Sequence, residues 1–138
     1  MRLLLGFVLT LAAFLLIDLL WLGVVAQPLY ADILGDLLAK EPNWTAAFVF
    51  YTLYVAGIFY FAILPAVAKN SIKHAIINGG LFGFFNYMTY DLTNLAVIEN
   101  WPGKLTFIDL PWGIVLTGST ALCGYYLSLI HISEPTRL

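Results

Sequence analysis

Asp18, Asp91 and Asp109 each stand inside a long apolar segment. A carboxyl group in such a setting is costly unless it faces a partner, a cavity or water, which makes each a candidate functional residue. Their neighbours supply further polar groups at helical spacing. Tyr87, Asp91 and Asn94 are related by four and three residues and share a helix face, with Asn86, Tyr90 and Thr93 on the adjoining strip. So broad a polar arc is expected to face the interior of a helix bundle. Asp18 precedes Trp21 by three residues, and Asp109 precedes Trp112 by the same step. An indole N–H can donate to a carboxylate and its ring can wall a pocket; the alternative is an anchor at a membrane surface. The chemistry open to this set is general acid–base work or proton exchange. Asp91 is the principal acid, Asp18 and Asp109 are its partners, and Asn94, Tyr87, Tyr90, Asn86, Thr93, Trp21 and Trp112 are ligand-binding candidates. An all-oxygen site for a hard divalent cation, from the three aspartates and Asn94, is a further option, so metal and cofactor content stay unknown.

The elements that must position these residues follow from composition. Of 138 residues, 62% are hydrophobic and only 10% charged, far below the charged share of soluble domains. The chain reads as a polytopic, all-α membrane protein, one domain over residues 1–130. Four candidate spans fall at about 3–26, 45–68, 72–98 and 105–130, each long enough to cross ~30 Å of hydrocarbon. Turn chemistry at Gln27-Pro28, Glu41-Pro42-Asn43, Lys69-Asn70-Ser71 and Asn100-Trp101-Pro102-Gly103 separates them. Within the first loop, Leu29, Ile33, Leu34, Leu37 and Leu38 fit a short amphipathic helix on the membrane surface, bounded by Pro28 and Pro42.

Charge sets the orientation. Arg2 marks the N-terminal side and Lys69, Lys73 and His74 make the second loop the most basic. Lys40 in the first loop is outnumbered by Asp32, Asp36 and Glu41. The positive-inside rule then puts both termini and the second loop in the cytoplasm. At 1.5 Å per residue, Asp18 lies roughly 13 Å before Gln27, Asp91 roughly 12 Å before Glu99 and Asp109 roughly 8 Å beyond Lys104. All three aspartates fall in the outer half of the membrane. A competing reading takes Met1 to Ala26 as a cleaved signal peptide, although the apolar run resumes after Asp18 and exceeds a usual signal core.

Other features are weaker. Pro111 either frees the Phe107 carbonyl near Asp109 or stands in a first helical turn, where it costs little. Gly79, Gly80 and Gly83, and the stripe Gly113, Thr117, Ala121 and Gly124, suit close helix packing, within the chain or against a second copy as a homo-oligomer. Cys123 is the single cysteine, which excludes an intrachain disulfide and reads as a small packing residue. Asn43-Trp44-Thr45 matches a glycosylation triplet of little weight. A net charge of −2 without a basic stripe argues against nucleic acid, and no phosphate-binding glycine loop, His-Glu-x-x-His or Cys-x-x-Cys is present.

Asp18-Leu19-Leu20-Trp21-Leu22-Gly23, Tyr90-Asp91-Leu92-Thr93-Asn94 and Asp109-Leu110-Pro111-Trp112-Gly113 together resemble domain of unknown function 2177, a group of small bacterial membrane proteins, over Leu3 to Leu127. The resemblance implies four helical spans and a bacterial inner-membrane location, and it carries no established activity. Residues 131–138 shift abruptly in composition, look like translated sequencing-adapter read-through and are expected to be non-native. Three functions remain open. The first is a protein that binds or acts on an amphiphile such as a membrane lipid or isoprenoid. The second is a small proton-coupled transporter, and the third a structural or assembly role in which the aspartates only satisfy neighbouring donors.

Overall fold

The computed structural model describes residues 2–132, which are helical almost throughout and, among the described residues, contain no strand. Four long helices alternate in direction: α1 (Arg2–Leu37), α2 (Trp44–Lys69), α3 (Ile72–Val97) and α4 (Gly103–Ile132). Three segments, Arg2–Leu37, Trp44–Lys69 and Gly103–Ile130, are long and apolar enough to cross a membrane. Helix α3 is of similar length but more polar, since it carries Asn78, Asn86, Thr89, Asp91, Thr93 and Asn94. The 131–138 tail falls largely outside the described residues: 131 and 132 end α4, and 133–138 are not described.

The expected break at Gln27-Pro28 does not occur. The chain passes from α-helix (Arg2–Leu20) through a π-helical turn (Trp21–Ala26) into a further α-helical stretch (Gln27–Leu34) and a 3-10 turn (Gly35–Leu37). Proline lacks an N–H, and its ring crowds the carbonyl four residues back. A wider π turn immediately before Pro28 absorbs both effects. The same device recurs in α2, where π-helix Phe59–Ile63 precedes Pro65. The separate interfacial helix expected over Leu29 to Leu38 is therefore the end of α1, and Gly35, at φ 54, opens the turn that stops it.

The other boundaries lie where turn chemistry puts them. Asn43 accepts from the Ala46 N–H to cap α2, Ser71 accepts from the His74 N–H to cap α3, and Asn70 ends α2 in the left-handed region at φ 50. Pro111 proves to lie inside α4 rather than in its first turn, so the Phe107 carbonyl lacks its usual helical donor.

Helix α4 is the centre of the bundle, with α3 along one side and α1 along another. The glycine stripes make this possible. A Cβ on Gly83 would overlap the Gly113 carbonyl and the Thr117 side chain, and one on Gly113 would strike the Tyr87 ring. Gly79 faces Ala121, while Gly124 faces Thr10 and Ile63. The small-residue surfaces are thus consumed within the chain. Phe14, Val55, Ile58, Ile63 and Leu116 form the apolar centre shared by α1, α2 and α4. Across it the Tyr54 and Thr117 hydroxyls share a hydrogen bond of 2.7 Å. Cys123, expected to pack, is exposed on the outer surface of α4.

Candidate functional site

The late part of α1, the start of α2, the late part of α3 and the start of α4 lie at one end of the bundle, because successive helices run in opposite directions. Asp18, Asp91 and Asp109 all come from this end and are 8%, 0% and 6% exposed. They divide into a pair and a single group. Asp91 and Asp109 are close enough to interact directly, whereas Asp18 stands within hydrogen-bonding reach of Tyr51 and Trp112. The Tyr30 hydroxyl donates to Asp109 Oδ1. No basic group is among the interacting neighbours of any of the three.

A recess of about 330 Å³ opens between these residues. Asp18 and Asp109 lie on its wall, with the rings of Tyr30, Tyr51, Tyr87 and Tyr90. Trp21 and Trp112, also on the wall, stack with centroids 4.3 Å apart and planes 13° from parallel. Apolar cover comes from Leu22, Leu34, Leu38 and Phe50. Asp91 is not on the wall. It sits behind Asp109, wholly buried, with the Asp109 carboxyl within hydrogen-bonding reach and no donor from any other residue at its oxygens. The indole N–H of Trp21 is also buried without a well-formed hydrogen bond.

A second cavity of about 410 Å³ adjoins the recess and shares Phe50, Tyr87 and Tyr90 with it. Its remaining walls are Tyr54 and Asn86. The cause lies in how α2 meets α3. Their backbones approach along Phe59–Ile63 and Leu64–Lys69 but not along Trp44–Ile58. In that upper half the Phe82 ring reaches across to stack on Tyr54. A groove is left on the flank of the bundle beside the recess.

The structure thus gathers Asp18, Asp109, Tyr87, Tyr90, Trp21 and Trp112 on one recess, and it corrects the remainder of the polar arc. Thr93 is exposed, Asn86 lines the flank groove instead of the recess, and Asn94 is half-buried without lining the recess. An outward polar side chain on a helix need not stay unsatisfied. Asn86 donates to the Phe82 carbonyl at 2.7 Å, and the neighbouring Thr89 hydroxyl does the same to Phe85 at 2.7 Å. The three aspartates also do not assemble the optional all-oxygen cation site. Among the described residues no three acidic, histidine or cysteine groups converge closely enough to hold a metal ion.

Sequence reasoning missed two polar members of the wall, Tyr51 at the start of α2 and Tyr30. Tyr30 lies beyond the expected helix break, and only continuation of α1 through Pro28 brings its hydroxyl over Asp109.

A family model described as a predicted membrane protein, domain of unknown function 2177 (DUF2177), matches residues 3–126. The chain belongs to the DUF2177 family. That span contains every DUF2177 residue lining the recess and the groove. No curated protein and no solved structure matches the chain.

Proposed function

We propose that this chain is a four-span protein of the bacterial inner membrane, with both termini cytoplasmic, that receives the polar end of an amphiphile such as a membrane lipid or isoprenoid in the recess of Asp18 and Asp109. The observation that carries this reading is the adjacency of two cavities, only one of which bears acids. An aromatic-walled recess bearing two aspartates lies beside an aromatic groove on the bundle flank, and the two share Phe50, Tyr87 and Tyr90. A small polar solute needs only the first. A molecule with a polar head and an apolar chain uses both, entering sideways from the lipid.

The topology supports the same arrangement. Arg2, Lys69 and Lys73 collect at the end of the bundle opposite the recess, which under the positive-inside rule supports an outer-half position for the aspartates. Helix α3 then spans the membrane despite its polar content, shielded by its long contact with α4. Alkaline phosphatase fused after Glu41 is expected to be active and the same fusion after Asn70 inactive; the reverse pattern would invert the orientation and place the recess at the cytoplasmic face.

Occupancy is testable without knowing the ligand. Ala47 lines the recess at the mouth between α1 and α2. Ala47→Trp adds a large ring there while leaving the acids intact. Lipid extracted from purified wild-type protein and analysed by mass spectrometry should contain a retained species that the Ala47→Trp protein lacks. Identical lipid content in the two preparations would remove the case for an amphiphile site.

A further inference from the structure

We infer that the recess selects an amphiphile whose head is an organic cation, an alkylamine or quaternary ammonium; this rests on the reading of the recess as an amphiphile site and adds its charge. Half of the lining residues are aromatic, two are aspartates, and none is Lys, Arg or His. An ammonium head is attracted to ring faces by their quadrupole and to carboxylates by charge, and aromatic enclosures with an acid are the usual protein solution for such groups.

The arrangement of the acids points the same way. Asp91 is wholly buried, and its carboxyl oxygens meet no polar group except the Asp109 carboxyl. It faces Asp109 on the recess wall, so two carboxyl groups meet with no basic side chain of the chain beside them. Buried acids ordinarily find a basic partner or a full set of donors. Here Tyr30 supplies one donor to Asp109, and Tyr51 and Trp112 stand at Asp18. A cation seated in the recess beside the stacked Trp21–Trp112 pair and near Asp109 would bring the counter-charge that the protein omits.

The same wall disfavours the commonest alternatives. A phosphate or pyrophosphate head needs basic side chains or free backbone N–H groups, and among the lining residues there is no basic group. A neutral hydroxyl head would satisfy Asp109 or Trp21 but would leave the aromatic enclosure without a purpose.

The test is a native mass spectrometry titration of detergent-purified protein with probes sharing one ten-carbon chain: decyltrimethylammonium, 1-decanol and decyl sulfate, with tetramethylammonium as the chain-free control. Decyltrimethylammonium should bind about tenfold or more tightly than the alcohol and the sulfate. Asp109→Asn should cut that preference to about threefold or less, the expected result of removing one charge from the wall. If the alcohol binds as tightly as the cation, selection for charge is overturned while the amphiphile site stands. If tetramethylammonium binds as tightly as decyltrimethylammonium, the groove contributes nothing, and the amphiphile reading falls instead. If no probe binds, both fall. The wild-type series decides these outcomes alone should the Asp109 variant fail to fold.

Discussion

Replacing Gly83 by leucine is expected to leave no folded bundle. A Cβ at that position already overlaps the Gly113 carbonyl and the Thr117 side chain. Backbone cannot rotate away as a side chain can, so α3 would have to leave α4 along the most extensive interface in the molecule. Overpacking a tight site costs about 1–3 kcal/mol where neighbours can adjust, and more where they cannot. In a chain whose helices meet in lipid, close approach of small residues supplies much of the association energy. Size-exclusion chromatography in detergent should show the monodisperse wild-type peak replaced by aggregate. Gly23→Leu is the control, because a Cβ at Gly23 meets nothing within 4 Å. A Gly83→Leu protein that melts with the wild type would mean that α3 and α4 are not packed as described.

The second large effect has the opposite sign. Asp91→Asn is expected to raise thermal stability while abolishing retention of bound lipid. The wild-type carboxyl is fully buried, has only a second acid within hydrogen-bonding reach and receives no N–H or O–H from any other side chain. An amide of the same shape carries no charge and can donate to Asp109. An unsatisfied buried polar group costs about 1–3 kcal/mol, and relieving one with a close isostere recovers part of that. Such a gain in stability with a loss of activity is the pattern of a residue held for function. Differential scanning fluorimetry together with lipid analysis reads both. A lower melting temperature with lipid content unchanged would assign Asp91 a packing role and favour a structural protein.

Much of this was legible in the residues. Hydropathy located four segments, and α2, α3 and α4 begin and end within a few residues of the apolar limits because Asn43, Asn70 and Ser71 carry strong boundary chemistry. The clustering of the three aspartates at one end followed from helix direction and segment length alone. Three features were hidden. Pro28 signals a break, yet a π turn beside it carries the helix onward, and single-residue preferences do not register that accommodation. Thr93 looked interior by polarity but is exposed, and Asn86, bonded to its own helix, lines the flank groove and not the recess. The division of the acids into a buried pair and a separate Asp18 depends on side-chain placement across helices, which spacing within one helix does not encode.

The turn at Trp21–Ala26 also governs the phase of everything beyond it. A π turn is in effect one inserted residue, and one residue rotates an α-helix by about 100°. Without that insertion the tip of the first helix would still exist, at nearly the same height, but Tyr30 would look about a quarter-turn away from Asp109 and the ceiling over the acids would be made of different side chains. A single added position, invisible as a motif, thus decides which chemistry hangs above the cavity.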